Sequence, residues 1–268
     1  MSRRALSQPR GIGMLSVVAI ALLAFPLIAV VIRQPWGQLW ESVSNESSLQ
    51  ALWLSLRTST VTTALAFVVG LPFAWLLAKG SMRGTSVLRA LCVLPMVLPP
   101  VVGGVALLYA FGRQGVLGGI LDEWFGVRLA FTETAVVLSQ FFVAAPFFIV
   151  VMESAFQQMD ARLIGAARTL GAGPWHTLVR IVLPVVRPSL IAGLVLTWAR
   201  ALGEFGATIT FAGNTPGRTQ TLPLAIYSSL EGGNDAALAL SFLMMVVSMA
   251  ILVGLRGSWL PALRRGGT

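Results

Sequence analysis

The residues best suited to chemistry in this sequence are an arginine and a glutamate four positions apart in an otherwise apolar segment. Arg200 and Glu204 lie in the run between Pro188 and Phe211, and this spacing places two side chains on one face of a helix. A charge at the centre of a membrane span costs about 2.5–3.5 kcal/mol on insertion scales. The two side chains should therefore pair with each other or face a polar path. Both are compatible, because a closed ion pair could also serve as a gate.

Hydroxyl groups form a second polar set within an apolar run. The first half of the run 54–78 is rich in them: Ser55, Thr58, Ser59, Thr60, Thr62 and Thr63. Hydroxyls inside a span bond the carbonyl one turn back, pack between helices or line a polar path. We retain Thr58, Ser59 and Thr62 as candidates for a substrate path, with helix packing as the alternative.

Prolines and glycines interrupt the apolar run 91–111, at Pro95, Pro99, Pro100, Gly103 and Gly104. Proline removes a backbone donor and clashes with the preceding turn, which predicts a kinked or broken helix. Non-helical backbone at membrane depth is stable only against protein or a water-filled cavity. We therefore expect Pro99, Pro100 and Gly103 to face the bundle interior and to contribute, with Arg200 and Glu204, to a gate or substrate path. Gly203 and Gly206 would permit close helix approach.

Residues for catalysis or for holding a metal are scarce. Cys92 is the only cysteine and His176 the only histidine. An intramembrane enzyme would need paired carboxylates, a Ser–His pair or a histidine-rich metal site within its spans, and Glu204 is the only carboxylate predicted deep in a span. We expect no catalytic residue, no metal site and no cofactor bound by this chain.

Composition sets the fold class. The chain has 268 residues, of which 56% are hydrophobic and only 11% charged, as in polytopic membrane proteins. About 20 apolar residues cross a bilayer. The sequence predicts an all-α polytopic membrane protein, with 1–268 as a single transmembrane domain among membrane lipid. Six transmembrane helices are expected at about 11–32, 54–78, 91–111, 132–152, 188–211 and 236–255, with a polar connector at 33–46 and a Gly-rich one at 112–131.

The distribution of basic residues predicts the orientation. The net charge is +9, but the 19 Lys and Arg residues are spread over the loops and form no continuous patch, which argues against nucleic-acid binding. Thirteen of them fall on the side of the two termini and four on the other side, with Arg57 and Arg200 near or within spans. The positive-inside rule makes both termini of this multi-pass membrane protein cytoplasmic.

A polar segment at 160–188 separates the fourth and fifth predicted spans. Apolar residues recur at three- and four-residue spacing on two short helices. Gly171 accepts the left-handed geometry of a helix C-terminus, and Gly173-Pro174 starts the next helix. The segment is therefore expected to be a short amphipathic helix, a sharp turn and a second helix that continues into a span.

This segment resembles the EAA loop of ABC-importer permeases. Ala166-Ala167, Gly171 and Ile181-Val182-Leu183-Pro184 carry the resemblance, whereas the family's leading glutamate is replaced by Gly165. The resemblance implies a cytoplasmic coupling helix between the fourth and fifth spans that docks on a separate ATPase, which binds ATP and Mg. A stand-alone channel or carrier would have no such loop. The residues assigned to coupling are Gly165, Ala166, Ala167, Leu170, Gly171, Ile181, Leu183 and Pro184.

A later stretch is similar to the molybdate-type permeases of oxyanion importers. Ala-Gly-Asn-Thr-Pro-Gly at 212–217 and Thr-Gln-Thr-Leu-Pro-Leu at 219–224 carry this narrower likeness, whose core covers about 49–256. Gly-Glu-Phe-Gly at 203–206 also occurs in sulfate/thiosulfate permeases. The likeness implies a homodimer with two ATPase subunits and an external binding protein, importing molybdate by alternating access. Tungstate or sulfate/thiosulfate remain alternative substrates.

Overall fold

Every regular element of the computed structural model, which describes residues 10–80, 83–232 and 236–254, is helical. No strand occurs among these residues, so the all-α prediction is confirmed. In chain order the helices are α1 (Arg10–Arg33), α2 (Leu39–Ser44), α3 (Glu46–Lys79), α4 (Thr85–Val97), α5 (Pro100–Phe111), α6 (Val116–Phe125), α7 (Glu133–Gln157), α8 (Ala161–Thr169), α9 (Pro174–Thr177), α10 (Leu183–Leu202), α11 (Gly206–Phe211), α12 (Leu222–Glu231) and α13 (Ala236–Gly254). A 3-10 turn at Trp36–Gln38 precedes α2, and a π-helical turn at Leu178–Val182 joins α9 to α10.

Six helical stretches of the described chain are long and apolar enough to cross a membrane: Gly13–Arg33, Glu46–Lys79, Pro100–Phe125, Glu133–Gln157, Pro174–Leu202 and Ala236–Gly254. Their number matches the six predicted spans. Several basic residues that enter the charge argument lie outside the described residues (Arg3, Arg4, Arg256, Arg264 and Arg265), as does Leu255, the predicted end of the sixth span. The assignment of 1–268 to one domain stays a prediction.

Helices α3, α7 and α10 form the centre of the bundle. Phe148 of α7 is fully buried and lies between glycines of the other two helices. A β-carbon added at Gly70 of α3 or at Gly193 of α10 would come within 3.1 and 3.2 Å of its ring. The small residues let both helices approach α7 closely. Around this contact the principal core consists of Ala66, Leu71, Ala74, Leu77, Ala145, Phe148, Ile149, Met152, Phe156, Val182 and Val186.

The third predicted span is broken, as its prolines indicate, but its outline differs from the prediction. Helix α4 ends before Leu98, whose backbone is extended, and Pro100 starts α5 at a position where a missing N–H costs nothing. The segment predicted as a Gly-rich connector contains α6, so the prediction of a connector over 112–131 was wrong for 116–125. Gly115 and Gly126, which precede and follow α6, allow this helix to begin and end abruptly.

The fifth predicted span is also divided. Instead of one helix over 188–211, α10 begins at Leu183 and ends at Leu202, and the shorter α11 follows after three residues. No proline marks this interruption. Gly203 stands at the C-cap of α10, and the Glu204 side chain accepts a hydrogen bond from the start of α11, as described below.

The remaining helices surround the bundle. Helix α1 is exposed over most of its length and contacts α13, while Trp36, in the predicted polar connector, packs edge-to-face on Phe242 of α13 at 5.3 Å. At the end of the bundle opposite α8, a smaller core joins α3, α12 and α13 through Ala51, Leu222, Ala225 and Leu240. The backbone N–H of Leu222 donates to the Ser55 hydroxyl at 2.7 Å, which fixes the start of α12 on α3.

Candidate functional site

The polar segment at 160–188, called the coupling segment below, has the local geometry that its sequence predicts. Asp160 caps α8, because its side chain accepts the N–H of Arg162 at 2.9 Å. At the other end Gly171 adopts φ +80°, and the N–H groups of Gly171 and Ala172 donate to the carbonyls of Arg168 and Ala167 at 3.0 and 2.9 Å. These two hydrogen bonds together form a Schellman motif, which favours glycine at the left-handed position. Helix α8 therefore ends sharply, and the chain turns towards α9.

An apolar knob and a groove lie side by side on this segment. The side chain of Leu170 is 87% exposed, whereas Ala167, one turn earlier in the chain, is buried. Beside them is a groove of about 430 Å³, whose lining residues are Ala167, Leu170, Gly171, Ala172, Gly173, His176 and Ile181. The other predicted coupling residues are exposed (Gly165, Ala166 and Pro184) or half-buried (Ile181 and Leu183). An exposed leucine next to an apolar groove is suited to binding another protein.

The coupling segment is fastened to the bundle at its far end. Val182 is fully buried in the principal core, and Leu178 packs against the same cluster. Because α9, the π-helical turn and α10 follow one another without a loop, a displacement of the segment would be passed directly to α10.

Arg200 and Glu204 form an ion pair, although they are not on one helix. Arg200 lies in the last turn of α10 and Glu204 just beyond it, with 2.6 Å between Nη2 and Oε2. The Glu204 side chain is only 1% exposed, against 27% for Arg200. Its second oxygen, Oε1, accepts the backbone N–H of Ala207 at 2.9 Å, one of the donors that a helix leaves unpaired at its start. One carboxylate thus neutralises α10's terminal arginine and starts α11.

Helices α5 and α11 touch through glycines. A β-carbon added at Gly104 would lie 2.8 Å from the carbonyl oxygen of Ala207, and one added at Gly206 would lie 2.8 Å from Cβ of Pro100. Gly206 therefore permits close approach as predicted. Gly203 does not, since the nearest atom to a β-carbon there is a carbonyl of its own helix at 3.6 Å.

The break before α5 is only partly interior. Gly103 is buried, and a β-carbon there would lie 2.9 Å from the ring of Phe142 in α7. Pro99 and Pro100 are exposed, so the interior of the single chain does not cover them. Their place in a gate or substrate path stays a prediction. Two properties explain their exposure. Pro100 has no N–H to satisfy, and the Pro99 carbonyl already accepts the N–H of Val102 at 2.9 Å.

The predicted path hydroxyls are fully buried, and each donates within the chain. Thr58 and Ser59 donate to carbonyls of their own helix, those of Leu54 and Leu56, at 2.8 and 3.1 Å. Thr62 donates to Oε1 of Gln140 in α7 at 3.1 Å. These bonds are those of helix packing, the alternative retained above. A role in the substrate path stays a prediction for Thr58, Ser59 and Thr62.

Two buried polar residues on α7 were not foreseen. The Gln140 amide is fully buried, and its Nε2 has no hydrogen-bond partner among the described residues. Glu153, whose side chain is 8% exposed, accepts bonds from Arg89 of α4. Glu153 lies only one turn from the end of α7, so the expectation that Glu204 is the only carboxylate deep in a span stays a prediction. The missed signal was Glu153's position directly after the predicted span end at Met152, since an apolar helix can extend past its hydropathy window.

Metal-binding potential is low in the described part of the chain. It contains no group of three or more His, Cys, Asp or Glu side chains that could hold a metal ion. His176 is exposed on the coupling segment and lines the groove there.

We predict that the Arg200–Glu204 pair stabilises the fold chiefly by neutralising Glu204. Arg200→Ala should lower thermal stability markedly, because removing one partner of a buried ion pair costs about 3–5 kcal/mol. Arg200→Ala combined with Glu204→Gln should recover most of the loss, since glutamine keeps an acceptor for Ala207 without a charge. Melting of the purified variants in detergent measures this. A double variant no more stable than Arg200→Ala would contradict it.

Comparison with known proteins identifies the family. Residues 70–264 match the family model described as "binding-protein-dependent transport system inner membrane component". The chain is 44% identical over 246 residues to the molybdenum transport system permease protein ModB of Mycobacterium tuberculosis, covering 92% of this chain and 93% of that protein. It is 40% identical over 225 residues to ModB of Escherichia coli, covering 83% and 97%.

Solved structures show the same fold at lower identity. A bacterial ABC transporter that imports the acidic polysaccharide alginate superposes with a TM-score of 0.74 at 18% identity, covering 92% of this chain and 93% of that chain. The MetNI methionine ABC transporter superposes with a TM-score of 0.60 at 20% identity, covering 77% and 91%. The resemblance read from the coupling segment and from residues 203–224 is therefore confirmed, and the chain belongs to the family of binding-protein-dependent transport system inner membrane components.

Proposed function

We propose that this chain is the membrane-spanning permease subunit of an ATP-driven molybdate importer. The observation that carries the proposal is the 40–44% identity to proteins named as molybdenum permeases over most of the chain. The six apolar helical stretches and the ABC-importer fold support it. The chain is a transport component rather than an enzyme, and ATP hydrolysis with its Mg belongs to a separate ATPase.

The coupling segment is proposed as the contact with that ATPase. Leu170 projects from it, the groove beside it is open, and Val182 fastens it to the core. Gly165 replaces the family's usual glutamate, so the contact relies on shape and apolar area in place of that carboxylate. A working assembly would comprise two permease copies, two ATPases and an external binding protein.

The substrate path is proposed to run between the two copies, beside the broken helices. Pro99 and Pro100 are exposed in the single chain, which is consistent with a second copy or the path covering them. Gly103, Arg200, Glu204, Thr58, Ser59 and Thr62 complete the set proposed for the gate or path. A tetrahedral dianion needs replacement donors when it loses water, and hydroxyls and backbone N–H groups supply them without holding it too tightly.

Orientation is proposed from charge. The basic residues favour the side of the termini by thirteen to four, which places the coupling segment in the cytoplasm, where ATP is.

Substrate choice is tested by uptake. The complex, reconstituted in proteoliposomes with its ATPase and binding protein, should accumulate molybdate when ATP is enclosed. Tungstate should compete strongly because it has the same charge and nearly the same size, and sulfate weakly. Accumulation of sulfate in preference to molybdate would favour the sulfate/thiosulfate alternative.

The coupling contact is tested by Leu170→Asp. Because Leu170 is 87% exposed, this change should leave the permease fold intact yet strongly reduce co-purification of the ATPase and uptake. Leu230→Asp is the matched control, since Leu230 is 68% exposed on α12 at the opposite end. Equal co-purification by both variants would refute the assignment.

Orientation is tested by labelling single cysteines in a Cys92→Ser background. A membrane-impermeant thiol reagent applied to intact cells should label position 218, in the exposed loop before α12, and spare position 170. The reverse pattern would show that the coupling segment is external.

A further inference from the structure

Helix α4 is attached to the bundle by an ion pair as well as by apolar packing. None of its residues is fully buried, and Leu88 and Cys92 are partly buried where they pack against the principal core. Between them Arg89 reaches α7, where its Nε and Nη2 donate to the same oxygen of Glu153, Oε1, at 2.8 and 2.5 Å. Gln157 Nε2 donates to that oxygen as well, at 3.0 Å.

The environment of Glu153 makes this contact costly to open. Its carboxylate is 8% exposed, whereas the Arg89 side chain is 43% exposed, and Arg89 is its only salt-bridge partner in the described chain. Breaking a buried pair leaves an uncompensated charge, whereas replacing both partners by apolar groups is often close to neutral. The pair should therefore persist while the protein changes conformation.

The position of the pair connects the coupling segment with the break in the third span. Glu153 lies one turn before Gln157, the last residue of α7, and α8 begins four residues later at Ala161. Arg89 lies in α4, which ends directly before the break at Leu98–Pro99. No other ion pair in the described chain attaches α4 to the bundle.

We propose that Arg89 and Glu153 are positioning residues that make α4 and the coupling end of α7 move as one body. A displacement of the coupling segment would then be carried into α4, and the change of angle would occur at Leu98–Pro99, where the backbone is already non-helical. This inference rests on the proposed function, because it concerns how ATPase movement reaches the proposed path.

The test measures molybdate transported per ATP hydrolysed by the reconstituted complex. Arg89→Met/Glu153→Met removes both charges, so the complex should assemble and keep its ATPase activity. Its transport ratio should fall about fivefold or more, the lower range of energetic coupling between sites. Arg89→Lys keeps the ion pair and should stay close to wild type. A merely structural pair would change the yield of complex but not the ratio.

The matched control is the exposed pair between Arg57 of α3 and Glu133 of α7, at the opposite end of α7. Arg57→Met/Glu133→Met removes an ion pair without touching α4 and should leave the ratio unchanged. If the wild-type complex took up no molybdate, the proposed function would fail. The coupling of each variant would then be compared through the stimulation of its ATPase activity by the binding protein.

A covalent replacement tests whether the link stays closed. In a Cys92→Ser background, Arg89→Cys/Glu153→Cys should have a low ratio, which a short bifunctional thiol reagent should restore and reduction should abolish. Bridging that lowers the ratio further would show that the pair must open during transport, and so would overturn the proposal. An unchanged ratio in the double methionine variant would overturn it too. If the double methionine variant does not assemble, the transport ratio of the cross-linked double cysteine variant tests the proposal in its place.

Discussion

The interruption between α10 and α11 depends on the Glu204 carboxylate, which is bound at both sides of the break. A broken helix in an apolar environment exposes backbone donors that neither lipid nor aliphatic side chains can satisfy. The Glu204 carboxylate accepts a hydrogen bond from one of these donors, the N–H of Ala207, and Arg200 balances the negative charge of Glu204. The interruption between α10 and α11 is therefore stable without a proline. Once α11 starts there, Gly206 and Gly104 bring it against α5, and the two interrupted spans meet.

The central helix α7 connects this meeting point with the coupling segment. Near its start, the Ser139 hydroxyl faces the Ala207 carbonyl of α11 at 3.4 Å. Near its end Glu153 binds Arg89 of α4, and α8 begins four residues beyond Gln157, at Ala161. Helix α7 thus contacts α11 near its start and α4 near its end, in both cases through a polar side chain.

Features governed by local chemistry could be predicted from sequence, and features governed by tertiary contacts could not. The left-handed Gly171 and the break at Pro99 follow from the backbone of glycine and the missing N–H of proline. The division of the fifth span after Leu202 was missed, although Gly203 stands at the C-cap of α10. Glu153 was missed because its contact with Arg89 joins two helices whose residues are 64 positions apart in sequence. The sequence predicts the coupling residues only as a set, and the structure separates the exposed Leu170 from the buried Ala167.

The ring of Phe148 between Gly70 and Gly193 has an evolutionary consequence. Three helices share one small volume at that point, and a single methyl group added at either glycine would come within 3.2 Å of the ring or closer. Protein interiors of this density tolerate changes that conserve total volume better than changes that increase it. The residues at positions 70, 148 and 193 should therefore change in a correlated way during evolution. Homologues with alanine at position 70 or 193 should carry a smaller residue at 148, so that side-chain size covaries across helices distant in sequence.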